Sequence, residues 1–107
     1  MPRWLVKALT RIHRCAAERR IRLTGKAVRE LGGIGLGLDP EDVRDVLRAL
    51  TAADSAGRLV AEATGEWMYL FTVHLGEVPA YVKLVLRTDC VVVSFHEDQG
   101  DDHEDQA

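Results

Sequence analysis

Residues 79–98, PAYVKLVLRTDCVVVSFHED, decide the fold. Two valine-rich runs, Tyr81–Arg87 and Cys90–Phe95, flank Thr88-Asp89, and runs of strand formers split by turn formers predict a β-hairpin in a packed core. Val82, Leu84 and Leu86 alternate with Tyr81, Lys83 and Arg87, while Ser94 and His96 alternate with Val93 and Phe95. Strand side chains point alternately to opposite faces, so one face can enter a core while Tyr81, Lys83 and His96 gather on the other. A phenol, an ammonium and an imidazole on one sheet face suit a phosphate-bearing ligand.

Just upstream the same period continues. Arg58–Thr64 and Glu66–His74 read as two further strands, with turns at Thr64-Gly65 and Gly76-Glu77, which makes an antiparallel sheet of about four strands. Trp67, Tyr69, Phe71 and Val73 are expected to face helices, and Met68, Leu70, Thr72 and His74 to share the face of Tyr81 and His96. His74 either joins that group, if its strand faces this way, or is a loop-end histidine without a role.

Ahead of the sheet the period is helical. Trp4, Leu5, Ala8, Ile12, Cys15 and Ala16 mark an amphipathic helix over residues 3–19 whose other side is cationic. Residues 20–23 form a candidate edge strand. Thr24 then caps a second helix over 25–31, stopped by Gly32-Gly33. The alternating glycines of residues 33–38 lack a following Lys-Ser/Thr and a preceding strand, so they do not make a phosphate loop. Asp39-Pro40-Glu41-Asp42 starts a third helix, with Val43, Val46, Leu47 and Leu50 as its apolar stripe. Helices followed by strands give the class α+β, with the helices on one face of the sheet.

At 107 residues and 47% hydrophobic content, the chain forms one domain, placed at residues 1–98, and an acidic tail, residues 99–107, expected to be disordered. No apolar run approaches the roughly 18 residues of a membrane helix. Lys7, Arg11 and Arg14 interrupt any signal-peptide core, so a cytoplasmic location is expected, with Cys15 and Cys90 as reduced thiols. The net charge of −3 hides a polarity: Arg3, Lys7, Arg11, Arg14, Arg19, Arg20, Arg22, Lys26 and Arg29 crowd the start, and residues 97–107 are acidic. The basic start is either a solvated face or a surface for a polyanion; the tail is either solubilising or one that repels or mimics that polyanion.

Leu36-Gly37-Leu38-Asp39, the helix ending near Leu50, Trp67, Tyr81-Val82-Lys83 and Ser94-Phe95-His96-Glu97-Asp98 together resemble the MqsR family of toxins from bacterial type II toxin–antitoxin modules. The resemblance spans about residues 5–98. It implies a RelE-like ribonuclease fold, a metal-independent messenger-RNA endonuclease without cofactor, and a cognate antitoxin that silences it. Position by position, Tyr81 matches the family's active-site tyrosine, His96 falls where the family places a catalytic basic residue, and Lys83 matches the lysine of the same strand. Two departures stand out. Ser55-Ala56-Gly57-Arg58 replaces an aromatic-lysine-serine segment, which leaves Arg58 as the only cation there, and Met68 stands in place of a site-facing glutamine.

Metal-free RNA cleavage needs a base for the 2′-hydroxyl, an acid for the leaving 5′-oxygen and cations for the charge on phosphorus. On this reading His96, Tyr81 and Arg58 are catalytic, and Lys83, Arg87 and Met68 bind the messenger-RNA substrate. His96 serves as acid or base, Tyr81 orients the phosphate or shares proton transfer, and Arg58 and Lys83 stabilise the phosphorane. No metal site is expected, because His96, His103 and the tail carboxylates match no ligand spacing. The alternatives are a non-catalytic RNA- or protein-binding module on the same fold, or a structural protein that docks a partner at a sheet edge.

Overall fold

The computed structural model describes residues 1–98; the acidic tail and His103, with the disorder and polyanion mimicry expected of that segment, lie outside the described residues. In chain order the elements are α1 (Arg3–Ala17), β1 (Ile21–Leu23), α2 (Gly25–Gly33), α3 (Pro40–Ala49), a 3-10 turn at Ala52–Asp54, β2 (Ser55–Val60), β3 (Trp67–Leu75), β4 (Val78–Leu86) and β5 (Cys90–Glu97). The class is α+β, as the sequence pattern implies. The sheet has five strands in the order β1-β5-β4-β3-β2 rather than four, because Ile21–Leu23 joins it parallel to Cys90–Val92. All other pairings are antiparallel. Among the described residues no helix is long and apolar enough to cross a membrane.

Helical spacing puts Leu5, Leu9, Ile12, Cys15 and Ala16 of α1 on one buried stripe. Val43 and Leu47 do the same for α3, which Asp39 and Asp42 start with a capping box. These stripes meet Phe71, Val82, Leu84, Val92 and Phe95, all fully buried. One side of the sheet is therefore the core. The other side carries Met68, Leu70, Thr72 and His74 of β3 beside Tyr81, Lys83 and Val85 of β4, in the alternation expected. Both cysteines are free and buried, and burial, together with Cys15, pushes the Cys90 thiol up to about 12.

Two bulges set which residue faces which way. In β5 the register steps at Val93: Val92 opposes Leu84 and Ser94 opposes Lys83. The extra residue lets Val92 and Phe95 both enter the core while Ser94 and His96 stay on the open side. In β2 the register steps at Ala56, where Gly57 adopts a φ of +101° that favours glycine.

The Val93 bulge is pinned from α2. Thr24 accepts the Ala27 amide at its side chain, as a helix cap, and donates the same hydroxyl to the Val93 carbonyl at 3.1 Å. The Thr24 amide donates to the Val92 carbonyl. One residue thus starts a helix and anchors a strand irregularity. Thr24→Ala is expected to cost about 1–2 kcal/mol in urea denaturation, at the upper end of lost helix caps. A loss no larger than that of an exposed serine or threonine elsewhere on the surface would remove Thr24 from this role.

Candidate functional site on the open face of the sheet

Tyr81 and His96 are cross-strand partners at the end of the β4–β5 hairpin, with ring centroids 5.5 Å apart and planes inclined by 39°. The same face presents Lys83, whose cross-strand partner is Ser94. His96 bonds the Glu97 carbonyl through Nδ1 at 2.8 Å. A carbonyl only accepts, so Nδ1 carries a proton and donates this bond. Burial, then the charge of Asp98, raises the pKa of Tyr81. Its phenol therefore remains a hydrogen-bond donor at neutral pH.

Two residues of α2 complete this surface, and neither was singled out from the sequence. Beyond Leu23 the edge of β5 has no strand partner, and α2 lies there instead. The Glu30 carboxylate accepts from the Ser94 hydroxyl at 2.8 Å and from the Phe95 amide at 3.1 Å. Ser94 is 1% exposed, so this is the acceptor a buried hydroxyl requires. Lys26 pairs with Glu30 at 3.6 Å and reaches Ser94 Oγ at 3.5 Å. Burial, then the Lys26 charge, lowers the pKa of Lys83, against an opposing pull from Glu30. Burial pushes the Glu30 carboxyl up, but the bonds from Ser94 and Phe95 and the charges of Lys26 and His96 outweigh it, so its pKa lies below the ordinary value. The only sequence signal for this pair was the helical i, i+4 spacing of Lys26 and Glu30.

The remaining predicted residues divide. Met68 lies on the open face, in register with Val85, and His74 lies there too, exposed and opposite Pro79. Arg87 follows Tyr81 by six positions, about 20 Å along the strand at ~3.3 Å per residue. There it makes a two-pronged pair with Glu66, whose carboxyl it holds down at about 2.

Arg58 requires a correction, because the structure does not bring it to Tyr81 and His96. In the register of β2 it opposes Tyr69, on the core side. Its guanidinium lies 3.8 Å from the Trp67 ring centroid and 4.7 Å from that of Trp4, and Trp4 stacks on Tyr69 at 6.0 Å. The bulge at Ala56 and the affinity of arginine for aromatic faces account for this placement.

Among the described residues no three His, Cys, Asp or Glu side chains gather to hold a metal. The open face gathers an imidazole, a phenol and two ammonium groups on neighbouring strands and α2. Compared with models of known protein families, residues 6–97 match the one described as motility quorum-sensing regulator, toxin of MqsA. The chain belongs to the MqsR toxin family. No curated protein matches it. As an MqsR-family member it is a toxin of a toxin–antitoxin module, with an antitoxin as the partner that membership implies.

For this MqsR-family toxin, two measurements check the site's electrostatics and the corrected position of Arg58. Because the folded pKa of Glu30 is depressed, its charge stabilises the fold above the ordinary value of 4.5, and this is lost as pH falls through the folded value. The stability gap between wild type and Glu30→Gln should be widest near pH 7 and shrink below about pH 4.5; a gap independent of pH contradicts the assignment. Arg58→Ala should cost about 1 kcal/mol of stability and alter tryptophan fluorescence, as expected of a cation between two rings. Unchanged fluorescence and stability would place Arg58 elsewhere.

Proposed function

We propose that this toxin is a metal-independent endoribonuclease that cleaves messenger RNA on the open face of its sheet, halting translation until its antitoxin binds, and that it acts in the cytoplasm. The observation that carries the reading is the Tyr81–His96 pair flanked by Lys83 and Lys26, since these groups match what 2′-hydroxyl chemistry requires. His96 Nε2 takes the proton of the 2′-hydroxyl. The 2′-oxygen attacks phosphorus, the bond from phosphorus to the 5′-oxygen breaks, and the leaving oxygen takes a proton from the Tyr81 phenol or the Lys83 ammonium. The products are a 2′,3′-cyclic phosphate and a free 5′-hydroxyl.

Charge grows on the non-bridging oxygens as the phosphorane forms. Lys83 and Lys26 stabilise it in this reading, which the lowered pKa of Lys83, from burial and then the Lys26 charge, supports. Lys26 thus supplies on this face the second cation that Arg58, committed to Trp4 and Trp67, does not. Met68 offers a polarizable thioether against which a base can stack. Arg87, tied to Glu66 at the far end of β4, contributes to RNA binding at a distance from the bond that breaks.

The displacement of Arg58 favours one other reading, a non-catalytic RNA- or protein-binding module on the same fold. Cleavage of a defined messenger RNA in EDTA separates the two. Wild type should cut; His96→Ala should lose cutting, and Lys83→Met should lose roughly a hundredfold, the scale of one removed charge-stabilising donor. Equal cutting by wild type and His96→Ala would remove His96 from the mechanism. Salt-sensitive binding without any cutting would establish the binding module.

A further inference from the structure

At the opposite end of the hairpin the β4–β5 turn closes over a basin that the cleavage chemistry does not use. Arg11, Arg14 and Cys15 of α1, Arg20 ahead of β1, and Arg87 and Thr88 of the turn line a cavity of about 200 Å³. A water occupies roughly 30 Å³, so the basin has room for a phosphoryl group with its hydration. The guanidiniums are held apart by bonds of their own. Arg11 donates to the Arg87 carbonyl at 3.0 Å, and Arg20 donates to the Thr88 carbonyl. Arg20 is also paired with Glu18, and Arg87 with Glu66. Asp89 of the same turn adds its charge to that felt by Arg20.

These three carboxylates leave a positive surplus, and it is carried by Arg11 and Arg14. The Arg14 side chain makes no hydrogen bond or ion pair among the described residues. The surplus is also continuous with a longer feature: Arg3, Lys7, Arg11 and Arg14 are all exposed and lie on one line of α1, about 16 Å long at ~1.5 Å per residue. Helical spacing explains the line, but four arginines converging on one concavity at its end are not required by the fold. Two of them cap turn carbonyls; Arg14 satisfies nothing.

We infer that this basin is a phosphate-binding site, separate from the open face, in which the Arg11 and Arg14 guanidiniums grip one phosphoryl anion in the two-pronged manner their geometry favours. The phosphoryl group is either a diester of RNA laid along α1 or a free phosphate. The assignment does not depend on the cleavage reading, and His96→Ala is expected to leave it intact.

The experiment uses the full chain with two probes, inorganic phosphate and a 2′-O-methyl RNA of twelve nucleotides, which 2′-hydroxyl chemistry cannot cut. Phosphate should shift the side-chain Nε–H resonances of Arg11 and Arg14 in wild type, with smaller shifts at Arg58. If RNA is the source, R11Q/R14Q should bind the oligonucleotide at least fivefold more weakly, and the slope of log affinity against log salt should fall by about 0.7, the value for one phosphate of a single strand. If free phosphate is the source, phosphate binding is lost in that variant while RNA affinity holds. Because Arg11 caps a carbonyl, R14Q alone provides a second variant that removes no bond of the fold, and its melting should match wild type. Resonances of Arg11 and Arg14 that ignore phosphate, together with unchanged RNA affinity and salt slope in R14Q, would overturn the site.

Discussion

The Glu30 carboxylate on the Phe95 amide is the contact on which the working surface depends. A three-residue β1 covers only the first part of the β5 edge. Past it, the Phe95 amide needs an acceptor within a region where Ser94 and Phe95 are almost fully buried, and an orphaned donor there costs about 1–3 kcal/mol. A helix supplies that acceptor from its side chain. The same carboxylate seats α2 against β5 and pairs with Lys26, whose charge reaches Lys83. Edge protection and site construction are here one arrangement.

Much of this was legible in the sequence because period-2 alternation survives in β3 and β4. Met68, Leu70, Thr72 and His74 fall on the face of Tyr81, and Tyr69, Phe71 and Val73 on the other, as their spacing requires. The α1 and α3 stripes and the Asp39 cap were equally plain. What escaped the reading has physical causes. A bulge inserts one residue and reverses every side chain beyond it, and an unbroken apolar run such as Cys90–Val93 conceals where the insertion falls. The Ala56 bulge likewise leaves the side of Arg58 undetermined until β2 is paired with β3. Parallel pairing of Ile21–Leu23 is a non-local event that three residues cannot announce. The role of Glu30 depends on Ser94, far away in the chain, so only its local pairing with Lys26 could be seen.

Charge divides the molecule into three uses. On the open face burial, then the Lys26 charge, lowers the pKa of Lys83, and the proposed chemistry would bring an anion to these two ammonium groups. Arg58 is spent on aromatic rings and serves the fold. The arginines of α1 and the hairpin turn form a separate basin on the other end of the same strands. The β4–β5 pair gives Val82, Leu84, Val92 and Phe95 to the core face and Tyr81, Lys83, Ser94 and His96 to the other, so the proposed site and the core share one hairpin.

The central claim, that the open face uses the substrate's own 2′-hydroxyl with His96 as base, is tested most directly by the chemical ends of the fragments. Mass spectrometry of an RNA cut by the purified toxin in EDTA should find 2′,3′-cyclic phosphate on the upstream fragment and 5′-hydroxyl on the downstream one. Fragments ending in 3′-hydroxyl and 5′-phosphate would mean that water attacks phosphorus, and would contradict this account of the site.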